Sequence, residues 1–170
     1  MRTLLFVFLL LGCNIALAQT NQAIPLNNLN FKHIFIKNSS NKLYNFDPPK
    51  TLVKAFGKPQ KIVKQEDEML GGYDYFYQYK GFEVVFNEQS WESTTITGSN
   101  YTFLINGVAY KVGENISKFK KHFPRSFMKK QRGISHSAVQ IWIGKSDTFI
   151  YADSNDKDII TSIEIANSNS

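Results

Sequence analysis

The run Gly71-Gly72-Tyr73-Asp74-Tyr75-Phe76-Tyr77-Gln78-Tyr79-Lys80-Gly81 sets four of the chain's eight tyrosines at every second position. Successive side chains of a strand point to opposite faces, so these tyrosines share one. That face is either the inner wall of a sheet or a ladder on which a ligand stacks. Lys80-Gly81 makes a two-residue turn, because Gly tolerates positive φ. Pairing Tyr79 with Phe82 then brings Tyr77 opposite Val84 and Tyr75 opposite Phe86. The other face carries Asp74, Gln78, Glu83 and Asn87, with Phe76 and Val85 as its apolar members. Burial favours the tyrosine side, so the ladder reading is the alternative and the core reading the expectation. The hydroxyls then need a rim position or a hydrogen-bond partner.

Outward from this hairpin the pattern predicts more strands and two short helices. Tyr101–Ile105 and Val108–Val112 flank Asn106-Gly107, the strongest short hairpin signal. Pairing Ile105 with Val108 puts Tyr101, Phe103, Ile105, Val108, Tyr110 and Val112 on one side. Asn115 is placed to cap a helix whose Ile116, Phe119 and Phe123 recur at helical spacing, and Pro124 stops it. Strands are expected at Ala138–Ile143, Thr148–Ala152 and Ile159–Ile165. Earlier, His33–Ile36 and Leu43–Phe46 predict a hairpin. Asp47-Pro48-Pro49 opens a helix that Gly57-Lys58-Pro59 closes. Strands follow near 61–66, 73–79, 82–87 and 91–97.

These elements repeat. Leu52-Val53-Lys54-Ala55-Phe56-Gly57-Lys58-Pro59 aligns with Phe119-Lys120-Lys121-His122-Phe123-Pro124-Arg125-Ser126 at an offset of 67. Phe82–Phe86 aligns with Thr148–Ala152 at 66, and Ile96 with Ile163 at 67. Chance likeness among β-rich segments is the alternative to duplication. The expectation is an α+β chain of two tandem repeats of roughly 66 residues. Each is a β-hairpin, a short helix and an antiparallel β-meander, with the helices on one sheet face. The domains are then a first repeat over 31–100, a second over 101–166, and a tail at 167–170. A disordered linker is expected over 19–30.

The tandem order, with Phe56-Gly57-Lys58-Pro59 ending the first helix, resembles small exported bacterial proteins of the beta-lactamase-inhibitor-protein type and the related SmpA/OmlA-like lipoproteins. The resemblance covers most of 31–165 and is architectural. It departs from the inhibitor type in lacking disulfide cysteines. It implies that the sheet face away from the helices binds a partner protein.

The N-terminus predicts export. Arg2, the apolar Leu4–Leu11 and Ala16-Leu17-Ala18 form a secretory signal peptide over residues 1–18, with cleavage before Gln19. The apolar run is shorter than the roughly 20 residues of a membrane span. Leu10-Leu11-Gly12-Cys13 also resembles a bacterial lipobox, and lipidation at Cys13 would anchor the protein. Against this, apolar Ile15, Ala16 and Leu17 follow the cysteine. Cys13 is the chain's single cysteine, so a mature chain without it relies on its core rather than on disulfides.

Chemistry-bearing motifs are sparse. His33, His122 and His136 have no neighbours at metal-ligand spacing. Ser135-His136-Ser137 lacks a nucleophile elbow, and Asp153–Asp158 lacks the glycine and closing glutamate of a calcium loop. No enzyme activity, cofactor or metal is expected, and export argues against nucleic acid as partner. Two binding surfaces stand out instead. Trp142, Phe149 and Tyr151 have a parity opposite to the aliphatic Val139, Ile141, Ile143 and Ile150. Trp91 lies opposite in parity to Ile96, and Phe76 opposite to the tyrosines. These five aromatics predict an anchor for an unknown protein partner. Alternatively, the cations Lys118, Lys120, Lys121, Arg125, Lys129, Lys130 and Arg132, within a chain of net charge +6, predict binding to anionic membrane components.

Overall fold

The structure, a computed structural model, describes residues 27–46, 48–68, 71–88, 90–128, 138–144 and 148–167. Along them the chain runs β1 (Asn28–Leu29), a 3-10 turn (Phe31–His33), β2 (Ile34–Asn38), β3 (Leu43–Tyr44), α1 (Pro49–Phe56), β4 (Lys61–Glu66), β5 (Tyr73–Tyr79), β6 (Phe82–Asn87) and β7 (Ser90–Ile96). It continues through β8 (Tyr101–Ile105), β9 (Val108–Tyr110), α2 (Ser117–His122), β10 (Phe127–Met128), β11 (Ala138–Ile143), β12 (Thr148–Ser154) and β13 (Ile160–Asn167). The fold is α+β and mostly strand.

Turn chemistry sets the registers. Gly81 adopts φ +78°, and Tyr79, Tyr77 and Tyr75 face Phe82, Val84 and Phe86 as their alternation predicts. Asn106 and Gly107 both take positive φ, which a tight hairpin turn of this hand requires, and Ile105 faces Val108. Two sheets result. The larger has the order β1-β11-β12-β13-β7-β6-β5-β4, with β10 also on β11, and the smaller the order β3-β2-β8-β9. Every pairing is antiparallel except the short β1·β11 contact.

The core lies between the sheets. Ile34, Ile36, Tyr44, Phe103, Ile105 and Tyr110 of the smaller sheet join one cluster with Phe82, Val84, Phe86, Ile96, Ile141, Ile150, Ile163 and Ile165 of the larger. Each such side chain contributes about 1.5–3 kcal/mol by leaving water. Both helices feed the same cluster. Pro49 sits at the start of α1, where its fixed φ suits the first turn, and Leu52 is fully buried. Phe56 packs edge-on against Phe82 at 5.4 Å. Ile116, Phe119 and Phe123 are buried around α2, and Phe119 stacks on Tyr110 at 4.0 Å. Asn115 Oδ1 accepts the Ser117 N–H at 2.9 Å, answering one orphan donor at the start of α2.

Of the four tyrosines in the run, Tyr79 has a hydroxyl with a hydrogen-bond partner among the described residues. Tyr79 Oη donates to the Gly57 carbonyl at 3.0 Å. Burial, with the neighbouring Tyr101 and Tyr77 hydroxyls, pushes its pKa up to about 12. Tyr77 and Tyr79 both pack on the core cluster.

Two expectations need correction. The linker expected over 19–30 is ordered where it is described: β1 runs parallel to β11, Leu29 faces Ile143, and Leu29 is buried. Two residues between asparagines carry no periodicity from which a strand shows. His33 ends the 3-10 turn, and β2 begins after it at Ile34. Residues 19–26 and the signal segment 1–18 with Cys13 lie outside the described residues.

At one end of β7 the backbone comes unusually close to the β5–β6 turn. The Thr97 and Gly98 N–H groups both donate to the Gly81 carbonyl, at 3.0 and 2.9 Å. A Cβ on Gly98 would lie 2.9 Å from the Gly81 Cα. Gly98→Ala is therefore expected to destabilise the fold by about 1–3 kcal/mol, as overpacking does. Urea unfolding read by circular dichroism checks this; unchanged stability would mean that the turn yields freely.

Candidate functional site

The larger sheet turns one face to the core and the other away from it. On the outer face, cross-strand register lines up side chains that are far apart in sequence. One row runs Trp142, Phe149, Ala166, Ser93, Val85, Phe76 and Val63, from β11 across to β4. None of these side chains is among those packed on the core cluster. The row beside it runs Gln140, Tyr151, Glu164, Thr95, Glu83, Gln78 and Lys61. Trp142 and Phe149 meet edge-to-face at 6.2 Å, a geometry favoured by ring quadrupoles.

Side-chain size varies along these rows in a regular way. The central strands β13 and β7 contribute the small Ser162, Ala166, Ser93 and Thr95, with Glu164 the one longer side chain among them. Bulky residues stand on the strands at either side: Phe149, Tyr151 and Trp142 on one, Val85 and Phe76 on the other. By side-chain size the outer face is therefore a trough along β13 and β7, with an aromatic wall on β12 and Val85, backed by Phe76, on the other side. From β12 to β6 is three strand spacings, about 14 Å.

Carboxylates border this trough. Glu164 rises from its floor and Glu83 from one wall, where Gln78 Nε2 donates to Glu83 at 2.8 Å. Asp153 follows Tyr151 on the other wall, facing Ser162. Asp74 accepts from Asn87 Nδ2 at 3.1 Å. Burial among its neighbours raises the Glu164 carboxyl above the usual carboxylate range. Burial, then the charge of Asp153, raises the Tyr151 hydroxyl.

Four of the five expected anchors, Phe76, Trp142, Phe149 and Tyr151, lie on this face. Trp91 does not. A β-bulge interrupts the β6·β7 ladder: Val85 faces Ser93, but Phe86 faces Trp91, leaving Glu92 as an extra residue. The insertion flips the parity of everything before it in β7. Trp91 therefore points inward, against Phe46 at 5.1 Å and Phe31 at 5.7 Å. Its Nε1 donates to the hydroxyl of the fully buried Thr94 at 2.8 Å. There Trp91 lines a cleft of about 670 Å³ with Asn28, Leu29, Phe31, Ile143 and Asn167. No sequence signal marks this cleft, because its walls come from β1, β7, β11 and β13.

The basic segment is less free than its composition suggests. Lys118 is ion-paired with Glu114 at 3.0 Å, and its ammonium lies 5.6 Å from the Tyr110 ring centre. Lys120 lies 5.8 Å from the Phe127 ring. Lys121 and Arg125 are exposed, while Lys129, Lys130 and Arg132 lie outside the described residues. So does His136. His122 Nδ1 is 2.9 Å from the Tyr110 hydroxyl. Among the described residues no group of three His, Cys, Asp or Glu is placed to hold a metal, and no helix is long and apolar enough to cross a membrane.

No protein-family model matches the chain, and no curated protein matches it. Among solved structures, an extracellular protein containing an SCP domain from Bacillus anthracis str. Ames overlays 78% of this chain and 47% of its own. The identity is 13% and the TM-score 0.44, a likeness too slight to carry an argument. The chain spans about half the length of that protein.

Glu164 gives a measurable consequence. Its folded pKa lies above its unfolded one, so ionisation is disfavoured by folding. Below the unfolded value, about 4.3, both states are neutral and nothing is lost. As pH rises through the folded value, stability falls and stays lower. Glu164→Gln is expected to raise the unfolding free energy at pH 7 and leave it unchanged at pH 3. Chemical denaturation at both pH values checks this; equal effects at the two would mean that desolvation is not the cause.

Proposed function

We propose that this is an exported, non-enzymatic binding module that engages a protein partner through the outer face of its larger sheet. The observation that carries the reading is the cross-strand row from Trp142 to Val63, with apolar side chains turned away from the core on six of seven adjacent strands. Half-exposed aromatic surface of this kind is costly in water unless something covers it. Trp142, Phe149, Tyr151 and Phe76 serve as anchors, since buried aromatic rings dominate interface energies. Trp91 belongs to the core and its cleft. Export rests on the signal-peptide pattern over residues 1–18.

The same proposal includes an internal duplication. Several observations support it. The order of elements from β2 to β7 repeats from β8 to β13, with α1 and α2 in corresponding places. Each sheet has one unit on either side of a central antiparallel pair, β2·β8 in the smaller and β7·β13 in the larger. At the centre of β2·β8, Ile36 faces Phe103, two residues at the offset of 67. Tyr44 and Tyr110 are buried in corresponding strands, as are Leu52 and Phe119 in corresponding helices. Both meanders carry a bulge at the start of their last strand, at Glu92 and Thr161. The bulges favour offsets of 68 and 69 for the meanders, one strand period from the 66 and 67 of the apolar pattern.

Replacing both Trp142 and Tyr151 with Ala is expected to leave the fold intact, because cross-strand contacts on an open face contribute about 0.2–1 kcal/mol each. Capture of a partner from envelope and secreted proteins should be lost. Lys120→Glu with Lys121→Glu should retain it. Trp91→Ala, by contrast, should lower stability by about 3 kcal/mol, as loss of a packed aromatic does. Urea unfolding beside the capture assay separates these outcomes. Collapse of the Trp142/Tyr151 variant would make those residues core, and loss of capture only with the lysine changes would move the site to α2.

A further inference from the structure

The acidic groups of the larger sheet are concentrated on its outer face. Among the described residues, the outward positions of its strands hold Asp74, Glu83, Asp153 and Glu164 against Lys61 alone. The chain as a whole carries +6. The sign of this face is thus opposite to that of the molecule. A face that only needed solubility would gain it as well from the plentiful lysines. Glu164 stands on the floor of the trough and Glu83 and Asp153 on its walls, while Asp74 lies one strand beyond, on β5. The Glu164 side chain, on the floor, makes no hydrogen bond or ion pair with any described residue and is partly desolvated by its neighbours.

Both central strands have a neighbour on each side, β13 between β12 and β7 and β7 between β13 and β6, and they pair with each other over Ile163–Ala166 and Ser93–Ile96. Neither presents an open edge to an added strand, so recognition must be by side chains. An occupant also has to satisfy its own backbone, because the trough offers no main-chain partners. An α-helix does this, and its diameter of about 10–12 Å fits the roughly 14 Å between β12 and β6. We infer that the trough takes a cationic amphipathic helix of another protein, with its apolar stripe against Phe149, Val85 and Ala166 and its cations on Glu164, Glu83 and Asp153. This rests on the proposed function and names the chemistry of the partner. The chain's own basic helix does not supply the occupant. α2 is six residues long, and Ile116, Phe119 and Phe123 around it are already buried in its own core.

The test uses the full chain and three synthetic 18-residue helices that share one apolar stripe. They carry Lys, Gln or Glu at the centre and flanks of that stripe. Calorimetry is expected to show the Lys helix binding about tenfold or more tighter than the Gln helix, and the Glu helix not binding. The Lys advantage should shrink at 0.5 M salt and vanish in the double variant Glu83→Gln, Glu164→Gln, whose fold circular dichroism checks. If Lys and Gln helices bind equally and only Trp142→Ala weakens them, the cationic inference falls while the aromatic face stands. Binding that ignores both the glutamates and Trp142 overturns the face itself. Failure of all three helices overturns the inference, and the capture assay with Trp142 and Tyr151 then judges the face alone. Self-association of the chain, removed by either Lys120→Glu or Glu164→Gln, would make a second copy the occupant and also overturn it.

Discussion

The pairing of β7 with β13 is the contact on which the other features depend. It sets Ile96 beside Ile163 and Thr94 beside Ile165 on the core side, and Ser93 beside Ala166 and Thr95 beside Glu164 on the outer side. Without it the larger sheet would be two four- or five-stranded meanders with four open edges, each prone to pair with other chains. With it, two of those edges close on one another and one continuous inner face covers the smaller sheet. The small outer residues of the two strands then become the floor of the trough. Core and candidate site are therefore two faces of one antiparallel ladder, and neither changes register without the other.

The bulge at Glu92 shows how one extra residue moves a side chain from one face of the sheet to the other. Without it, Trp91 would have been a fifth aromatic on the outer face. Because of it, the indole sits among Phe31, Phe46 and Thr94, with its N–H satisfied. The second bulge, at Thr161, has a parallel effect on β13: it lets Ile160 face Ser154, both buried. In each case the residue just before the bulge, Trp91 or Ile160, is returned to the core side. Bulges at such places bend a strand and increase its twist, which suits a sheet that must curve over a core.

Much of the fold was legible because its registers are set locally. Lys80-Gly81 and Asn106-Gly107 each fix a hairpin, and one face of each hairpin is plainly more apolar. The strands from 61 to 96 and the helix around Phe119 and Phe123 followed from period alone. What was not legible was non-local or out of phase. The β7·β13 pairing joins residues about seventy positions apart, and hydropathy does not say which strands meet. Ser90-Trp91-Glu92-Ser93 has no glycine and no break in its pattern to mark a bulge, so parity counted from Ile96 sent Trp91 to the wrong face. For the same reason an offset between the proposed repeats is fixed by the apolar pattern only to within one strand period. Of the candidate site, the rings were legible from parity. The trough was not, because it exists only once Ala166 and Ser93 stand side by side.

Glu164 ties these arguments together. On the central strand of a sheet, an outward carboxylate between Tyr151 and Thr95 is not a stabilising choice. Its raised pKa means that folding disfavours its charge. A threonine there would suit the strand better and keep the floor as small. Selection for stability alone has no reason to keep there a charge that no described residue pairs. A cation delivered from outside would remove the penalty, and would do so only when an occupant fills the trough. The folded chain then holds a cost that binding relieves, so the same group that lowers stability in isolation contributes to affinity and to rejecting acidic partners. That coupling predicts opposite effects of one substitution on two observables: Glu164→Gln gains in unfolding free energy and loses in affinity for a cationic helix. A purely structural role for Glu164 would move the first and leave the second alone.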